Sequence, residues 1–359
     1  MTTDYVMLRV EVLRPFLASL FGKAGLGDDD ALFCAECLVR TSLWGKDSHG
    51  VMRTTHYVRR LLSGAVNPRP RISVVRGTAA LETLDGDNGP GFVVGRAAMR
   101  RAIALAREHS VGVVGARRSS HFGAAAIYAR LAAEVGMVGI AMTNSVAKIV
   151  APGGARPITG SNPIAVAVPT YDGFPFVLDV SMSAIAGGKL LLAAQRGERI
   201  APGLATDAGG RPTEDPAEAF AGLWLPMAGI KGLGLSYAID ILSGVITGAS
   251  FGLAMKSQYA DAREPSGTGH FMIAIDVRAI MDPDDLRVRM SEFMCSIKSS
   301  PMKDGAAEMM VPGERAYLTE RERMTTGIPL SPGVLTELHA LAEELGVSTA
   351  GLTDDGAAG

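Results

Sequence analysis

The chain has 359 residues, a formal net charge of −2, 47% hydrophobic residues and three cysteines, Cys34, Cys37 and Cys295. This near-neutral balance disfavours a nucleic-acid or membrane-surface partner, since both usually need a basic field, and no apolar run approaches the roughly 20 residues that cross a bilayer. The length allows two domains with a large core, and sparse cysteines without a signal-peptide core at the start lead us to expect a cytoplasmic protein.

The first 75 residues are predicted to be mostly helical. Apolar residues across 6–20 recur near helical spacing, and Asp28-Asp29-Asp30 is typical of the N-terminal cap of a second helix. We interpret Cys34 and Cys37 as ordinary apolar positions of that helix, because no second pair completes a zinc site. Asn67-Pro68-Arg69-Pro70 ends the helical region, since proline breaks helices.

The middle of the chain alternates between helical and strand-like patterns, which predicts an α/β domain with a mixed sheet. The commonest dinucleotide fingerprint, G-x-G-x-x-G after a strand, is missing, because Gly232 and Gly234 are followed by Leu235-Ser236-Tyr237. A last helix is predicted at 332–345, and residues from Thr353 onward are expected to be disordered. The other predicted helices are 92–107, 122–135, 184–194, 232–243 and 286–297, and the predicted strands are 111–114, 138–142, 164–168, 176–180 and 271–275.

The run from Asp47 to Arg53, DSHGVMR, is the most informative stretch of the chain. His49 titrates near neutral pH, so it can both accept and donate a proton, and the planar fork of Arg53 fits a carboxylate at two points. A helix that begins near Gly50 would place Arg53 and Tyr57 on one face. A proton carrier beside a carboxylate clamp suits chemistry on a small 2-hydroxy or 2-oxo acid.

Three further clusters follow or end predicted strands. Ser119-Ser120-His121-Phe122-Gly123 precedes a predicted helix, whose free N–H groups suit an anion such as a pyrophosphate. Taken alone, a loop histidine such as His121 is more often a capping or surface residue. Thr143-Asn144-Ser145 lies where α/β sheets bind ligands, and Gly160-Ser161-Asn162-Pro163 could contact a substrate hydroxyl, but both also fit polar turns.

Two later segments place charge at the ends of predicted elements. Asp179-Val180-Ser181 ends a strand, and its carboxylate either orients a ribose or catalytic group or belongs to a helix cap. Gly229–Gly234 brackets Lys231 at a helix start, where a lysine reaches a phosphate or carboxamide as a point charge, although the glycines also fit tight helix packing. Six scattered histidines without an H-x-x-x-H motif make a metal enzyme the least expected class.

Together these motifs resemble one family, the malate/L-lactate dehydrogenases that lack a Rossmann fold. That family also includes sulfolactate and ureidoglycolate dehydrogenases and a piperideine-2-carboxylate reductase. The resemblance extends from Asp47 to Arg315: DSHGVxR, SSHFG, TNS, GSNP, the Asp-Val-Ser strand end, Gly-Ile-Lys-Gly-x-Gly and PGER occur in the expected order. No single motif is decisive, and it is their order and spacing that point to the family.

The resemblance implies a fold and a set of residue roles. It implies a homodimer with an unusual, non-Rossmann nicotinamide-binding α/β domain (76–309) and a helical domain formed by the terminal segments (1–75 with 310–359). The implied catalytic residues are Ser48, His49 and His121, and the implied substrate contacts are Arg53, Tyr57 and Ser161. Contacts to an NAD or NADP cofactor are implied for His121, Phe122, Gly123, Ala124, Ala125, Ser145, Asp179, Val180, Ser181, Lys231, Gly232, Val311, Pro312, Gly313, Glu314 and Arg315.

Several positions depart from the family pattern. Lys189 aligns near an Asp that completes a charge relay in the imine reductase, and Gly188 stands where many members have Arg. Lys148 follows the Thr-Asn-Ser cluster where apolar residues are common, and Ser161 replaces a more frequent Thr. The missing Asp favours a hydroxy acid over a cyclic imine as substrate.

We therefore predict an NAD(P)-dependent oxidoreductase that transfers a hydride between nicotinamide and C2 of a small 2-hydroxy/2-oxo acid, such as malate or lactate. Two alternatives stay open: an NADPH-dependent cyclic imine (ketimine) reductase on the same scaffold, and a nucleotide-binding protein without turnover. The expected partner is a small carboxylic acid. The sequence does not decide whether the cofactor is NAD or NADP, because Arg117-Arg118 or Arg315 could bind a 2′-phosphate.

Overall fold

The computed structural model describes residues 5–170, 173–259 and 263–352, so the disorder expected from Thr353 onward lies outside the described residues. The helices are α1 (Val10–Lys23), α2 (Asp28–Leu43), α3 (Thr54–Leu62), α4 (Gly91–His109), α5 (Ala126–Ala133), α6 (Gly187–Arg196), α7 (Pro216–Ala221), α8 (Ile230–Asp240), α9 (Pro283–Lys298), α10 (Glu314–Thr326) and α11 (Pro332–Leu345). The strands are β1 (Val6–Leu8), β2 (Ser73–Gly77), β3 (Leu81–Asp85), β4 (Val111–Ser119), β5 (Met137–Thr143), β6 (Ile149–Val150), β7 (Pro157–Thr159), β8 (Ile164–Val168), β9 (Phe176–Val180), β10 (Ala205–Thr206), β11 (Leu223–Trp224), β12 (Thr268–Asp276) and β13 (Ile328–Leu330).

The two ends of the chain meet in a helical layer. Leu13, Leu17 and Leu20 of α1 are buried at helical spacing, so one face of α1 packs against α2. α11 contacts α1 and α3, and β1 pairs antiparallel with β13. The helical pattern read from residue 6 is wrong for Val6–Leu8, which are extended because β13 supplies their hydrogen-bond partners from the far end of the sequence.

A seven-stranded sheet in the order β2-β3-β4-β12-β5-β8-β9 forms the centre of the molecule. β3 and β4 are parallel, and the other neighbouring pairs are antiparallel, so the predicted mixed α/β sheet is confirmed. α4 crosses β4 and β12, and α5 crosses β5 and β8. A Cβ at Gly112 would overlap the Ala102 carbonyl, and one at Gly139 would overlap the Ala129 carbonyl. Glycine at these two strand positions therefore lets the helices lie close against the sheet.

A smaller four-stranded sheet, in the order β10-β11-β6-β7, packs with α6 and α7 and has its own apolar core. Leu190, Ala205 and Trp224 belong to that core. A Cβ at Gly187 would lie 2.5 Å from the Trp224 ring, so α6 begins pressed against β11. This lobe brings the start of α6 next to the Asp47–His49 turn.

The predicted elements agree best with the structure where the apolar pattern is long or fully buried. Residues 164–168, 176–180 and 332–345 match their elements residue for residue. The helix predicted at 122–135 begins only at Ala126, because Phe122–Ala125 form a loop, and the strand predicted at 111–114 extends to Ser119. The helix predicted at 184–194 begins at Gly187, and α8 continues into a π turn at Ile241–Val245. β2 crosses residue 75, where the helical part was expected to end, and its five exposed residues carry no apolar alternation that predicts a strand.

Within the part of the chain that the structure describes, we find no helix with the length and apolar character needed to span a membrane.

Candidate active site

The segment that carries the first motif is fixed against the helical layer. It forms two short 3₁₀ turns, Asp47–His49 and Val51–Arg53, joined at Gly50. A Cβ at Gly50 would overlap the Ser42 hydroxyl of α2, and that hydroxyl accepts the N–H of Val51 at 3.0 Å. Arg323 of α10 holds both carboxylate oxygens of Asp47, at 2.6 and 3.1 Å. The motif is therefore held on one side by α2, which precedes it, and on the other by Arg323, which is distant in sequence.

His49 is paired with its neighbour and kept uncharged. Its Nδ1 lies 2.9 Å from the Ser48 hydroxyl. Burial, and then the positive charge of Arg53, lower the pKa of His49 from 6.5 to about 4. At neutral pH the imidazole is consequently free to accept a proton.

Arg53 is oriented with its fork left available. Its Nε donates to the Ser48 carbonyl at 2.8 Å, and the guanidinium carbon lies 5.8 Å from the centre of the Tyr259 ring. Among the described residues, neither terminal nitrogen of Arg53 has a hydrogen-bond partner of its own. A guanidinium in that state can bind a carboxylate with two parallel hydrogen bonds.

His121 comes from the sheet and lies beside His49; the region bounded by His49, Arg53 and His121 is here termed the cleft. It follows the end of β4, and its ring centre lies 5.9 Å from that of His49. Its Nδ1 accepts from the Tyr57 hydroxyl at 2.5 Å and from the Gly123 N–H at 3.3 Å. Burial, followed by the neighbouring His49, holds the pKa of His121 well below its usual range. A neutral ring whose Nδ1 accepts two bonds carries its proton on Nε2, so His121 presents a donor.

The loop after His121 backs onto the sheet. The Phe122 side chain is fully buried between Tyr128, at 4.6 Å, and His270, at 4.7 Å between ring centres. A ligand in the cleft would therefore contact the backbone of Phe122 and not its side chain. α5 begins directly after Ala125 and has no side-chain cap. The N–H groups of Ile127 and Tyr128 bond the Ala124 and Ala125 carbonyls at 3.2 Å, so among the described residues only the Ala126 N–H of this first turn lacks an acceptor and is available to an anion such as a dinucleotide phosphate.

The Thr-Asn-Ser and Gly-Ser-Asn-Pro clusters join into one polar unit. The Ser145 and Ser161 hydroxyls lie 3.3 Å apart, and the buried Asn162 Oδ1 accepts the Ser145 N–H at 2.9 Å. Asn162 also donates to Thr159 and to Ser236, which fixes the turn from behind. The two hydroxyls that the sequence singled out are thus adjacent.

Asp179 lies at the end of β9 and forms an ion pair with Lys46, just before the His49 turn. This pair connects the sheet with the helical layer beside His49. The Val311–Arg315 run lies along the same strand, because the Pro312 carbonyl accepts the Val177 N–H at 3.0 Å. Glu314 accepts the Val311 N–H at 3.0 Å and pairs with Lys298, whereas Arg315 is exposed.

Other predicted positions have contacts of a different kind. Lys231 is exposed at the start of α8, and a Cβ at Gly232 would overlap the Met227 carbonyl, so that glycine serves close packing. Arg117 and Arg118 lie against Asp85, and Arg118 also pairs with Asp87. These acidic partners leave the arginine pair ill-suited to a 2′-phosphate.

Besides Ser161, three positions depart from the family pattern, and all three lie on or near the small lobe of α6 and β11. A Cβ at Gly188 would overlap the Ser48 side chain, so α6 begins in direct contact with the Ser48–His49 pair. Lys189 is exposed on α6. Lys148 is half-buried, with its ammonium 5.9 Å from the Phe220 ring and 6.0 Å from the Trp224 ring. Burial lowers the pKa of Lys148.

Sequence reasoning missed several residues that shape the cleft. Asp240 accepts hydrogen bonds from Asn144 at 3.0 Å and from Thr159 at 3.1 Å, and Lys46 pairs with Asp179. The signal for Asp240 was present, since Ser236 and Asp240 are polar residues four apart on the buried side of an apolar helix. For His270 and Lys46 the sequence carried no comparable signal. Among the described residues, we find no group of three His, Cys, Asp or Glu side chains placed to hold a metal ion.

Fold and cleft together define a class of protein: a mixed α/β scaffold whose sheet and helical layer each contribute one neutral histidine beside a carboxylate-binding arginine. The chain matches the sequence profile described as malate/L-lactate dehydrogenase over residues 8–339. It is 38% identical to a malate dehydrogenase of Pyrococcus abyssi, with 96% of each chain covered. It is 36% identical to an L-sulfolactate dehydrogenase of Methanocaldococcus jannaschii, covering 96% of this chain and 98% of that protein.

A solved structure gives the same result. The malate dehydrogenase of Pyrococcus horikoshii superposes with a TM-score of 0.88 at 35% identity, covering 96% of this chain and 97% of that one. The protein belongs to the malate/L-lactate dehydrogenase family. The resemblance drawn from the motifs is thereby confirmed.

The low pKa of His49 predicts that acid destabilises the fold. Between pH 6.5 and about 4 the unfolded chain binds a proton at His49 that the folded chain does not, so the free energy of unfolding falls as the pH drops through this window and is unaffected above it. This one group accounts for at most about 3 kcal/mol. Urea unfolding at pH 7.5, 5.5 and 4.5 measures the effect. His49→Gln should lose less stability than wild type, with exposed His109→Gln as control, and equal losses in wild type and His49→Gln would contradict the prediction.

Proposed function

We propose that this protein is an NAD- or NADP-dependent oxidoreductase acting on the CH–OH group of a small 2-hydroxy acid. A bound nicotinamide would supply the hydride acceptor for C2 of the hydroxy acid, and in reduced form the hydride donor to the 2-oxo acid. One observation carries the proposal. His49 and His121, both neutral, lie 5.9 Å apart between ring centres, beside Arg53, whose terminal nitrogens have no hydrogen-bond partner among the described residues.

His49 is the proposed base in the oxidising direction. When Nδ1–H donates to the Ser48 hydroxyl, the Nε2 lone pair is directed away from Ser48 and can take the substrate hydroxyl proton. Ser48 is then the relay partner that fixes this tautomer. The low pKa of His49 leaves the ring unprotonated at neutral pH, so a nitrogen lone pair is available for the proton, and the proton is returned in the reducing direction.

His121 is the proposed donor on the opposite side of the cleft. Its Nε2–H can hydrogen-bond to the oxygen on C2 and stabilise the negative charge that develops there. Tyr57, expected to line the substrate pocket, also fixes the His121 tautomer through its hydroxyl. Burial raises the pKa of Tyr57, so the phenol keeps its proton and remains a donor.

Arg53 is the proposed clamp for the substrate carboxylate. With Nε anchored on Ser48, the terminal nitrogens approach the substrate from a fixed direction and orient C2 for the transfer. Ser161 is the proposed contact for a further polar group of the substrate, because its hydroxyl lies beside Ser145.

The proposed cofactor contacts are the backbone of His121–Ala125, Ser145, Asp179–Ser181, Lys231–Gly232 and Val311–Arg315. Support comes from the uncapped start of α5, from the adjacency of Ser145 to Asn162, and from the position of 311–315 along β9. The proposed division into a helical part (1–75 with 310–359) and a nucleotide-binding part (76–309) is supported by the pairing of β1 with β13.

A cyclic imine reductase is the alternative on the same scaffold. Neither the exposed Lys189 nor Gly188, which contacts Ser48, brings a carboxylate from α6 to the Ser48–His49 pair, and Asp179, whose charge does reach His49, is paired with Lys46; this favours a hydroxy acid. Parallel assays of pyruvate, oxaloacetate and a cyclic imino acid with NADH and NADPH separate the two. Nucleotide binding without turnover of any of these compounds would instead support the non-catalytic alternative.

We also propose a cytoplasmic homodimer. The outer face of α8 and the π turn is apolar and exposed: Ile230 is 68% exposed, Ile241 48%, Val245 49% and Ile246 62%. α9 has no buried residue, although Phe293 and other apolar side chains line it. Exposed apolar faces of this extent usually mark interfaces, and a second copy of the chain is the occupant consistent with a net charge near zero.

The first kinetic prediction concerns His49. His49→Ala should lower kcat by about 10²- to 10⁴-fold because it removes the proton acceptor, while KM for the acid changes little. Steady-state kinetics with the best 2-oxo acid measure the effect, and the Ser48→Ala variant should show a smaller loss of the same kind. Equal kcat in His49→Ala and wild type would rule out the assignment.

The second kinetic prediction concerns Arg53. Arg53→Ala should raise KM for the acid by about 100-fold, since two hydrogen bonds to a charged group are lost, with a smaller effect on kcat. Arg53→Lys is the matched control because it keeps the charge and loses the fork. If Arg53→Ala altered only the KM of the cofactor, Arg53 would not be the carboxylate clamp.

The dimer prediction uses the apolar face directly. Light scattering after size exclusion should give a mass of about twice the 37.5 kDa of one chain. Ile241→Glu with Val245→Glu should shift the mass toward the monomer, whereas Leu32→Glu, an exposed apolar position on α2, should leave it unchanged. A wild-type protein that is monomeric at micromolar concentration would overturn the proposal.

A further inference from the structure

A fully buried histidine lies behind the cleft, in the middle of the seven-stranded sheet. His270 is on β12, and its neighbours in the sheet are β4 and β5. Its Nε2 lies 2.7 Å from the Ser119 hydroxyl at the end of β4, and its Nδ1 lies 2.8 Å from the Thr143 hydroxyl at the end of β5. One imidazole thus spans the ends of two strands that are not themselves neighbours.

The proton positions in this series of hydrogen bonds can be assigned. Thr143 donates its hydroxyl proton to the Gly269 carbonyl at 2.8 Å, so its oxygen accepts from His270 Nδ1–H. Nε2 then accepts the Ser119 hydroxyl proton. Burial lowers the pKa of His270 to about 3, so the ring stays neutral and keeps one donor and one acceptor. In this series of hydrogen bonds, from Ser119 through His270 and Thr143 to the Gly269 carbonyl, every polar side-chain hydrogen has an acceptor.

Both strand ends held by His270 lead into the cleft. Ser119 is two residues before His121, and Thr143 is two residues before Ser145. The face of the His270 ring also stacks on Phe122, with 4.7 Å between centres and 6° between planes. His270 therefore contacts the loop that carries His121 from two directions, through Ser119 and through Phe122.

We propose that His270 is a positioning residue, which sets the place of His121 through Ser119 and Phe122 and the place of Ser145 through Thr143. It touches neither substrate nor cofactor. The proposal rests on the proposed function for its catalytic consequence. The geometry alone predicts that the 119–125 loop loses order when the bond to Ser119 is removed.

Two substitutions separate the two arms of the imidazole. The amide of His270→Asn occupies the place of Nδ1, so it keeps the bond to Thr143 and loses Ser119. The amide of His270→Gln reaches the place of Nε2, so it keeps Ser119 and loses Thr143. Both replace a neutral ring with a neutral amide and both lose the stack on Phe122, so the comparison isolates the Ser119 arm.

The expected result is a split between the variants. His270→Asn should lower kcat about 10- to 100-fold, since a misplacement of about 1 Å at a catalytic group has that effect, while His270→Gln stays several-fold closer to wild type. Hydrogen–deuterium exchange of the free enzyme should be faster across 120–125 in His270→Asn than in His270→Gln. Ser119→Ala should reproduce the His270→Asn pattern.

Equal kcat and equal exchange in the two His270 variants would overturn the proposal, as would losses that simply follow the thermal midpoints of the variants. Ser119→Ala with wild-type exchange across 120–125 would overturn it as well, and does not require that the His270 variants fold. The exchange measurement needs no substrate. If wild type turned over no 2-oxo acid or imine, the proposed function would fail while the positioning proposal was still decided by exchange.

Discussion

The partial burial of two neighbouring imidazoles is the interaction on which the site depends. His49 comes from the helical layer and His121 from the sheet, and burial is the largest cause of the low pKa of each. Two protonated rings with centres 5.9 Å apart would repel one another. A neutral pair has no such conflict and contains one proton acceptor and one proton donor. In the proposed mechanism, the same closeness of layers that partly buries the rings gives them complementary roles.

Glycine residues allow the segments around the site to pack this closely. A Cβ at Gly50 would overlap Ser42, one at Gly188 would overlap Ser48, and one at Gly160 would overlap the Ser145 carbonyl. At these positions glycine brings two chain segments into contact rather than wrapping a phosphate. This explains how a chain with 43 glycines can lack the usual dinucleotide fingerprint.

The parts of the fold that follow from local pattern were predictable. α1, α2 and α11 have long apolar stripes, β8 is an apolar run between Pro163 and Pro169, and β9 is a mostly apolar run after Pro175, so their positions could be read from the sequence. β1 could not, because a three-residue strand is specified by its partner β13 and not by its own residues.

The candidate site likewise has a part that the sequence predicts and a part that it does not. The DSHGVMR run could be predicted because its chemistry is concentrated in seven consecutive residues. The Tyr57–His121 bond, the Lys46–Asp179 pair and the His270 chain join residues 64, 133 and up to 151 positions apart. Isolated polar residues in apolar strands carry no periodic signal, so their partners become evident only once the strands are aligned.

The Lys46–Asp179 pair affects which positively charged side chain in the cleft is available to bind a substrate. Asp179 is close enough to His49 to favour its protonated form, while Lys46 and Arg53 act in the opposite direction. Lys46 is paired with Asp179, whereas the terminal nitrogens of the Arg53 guanidinium, beside the imidazole, have no hydrogen-bond partner within the described ranges. A carboxylate that enters would meet Arg53 and not Lys46, and its own negative charge would raise the pKa of His49 as it binds. Substrate binding would thus strengthen His49 as a base at the moment when a proton must be taken from the substrate.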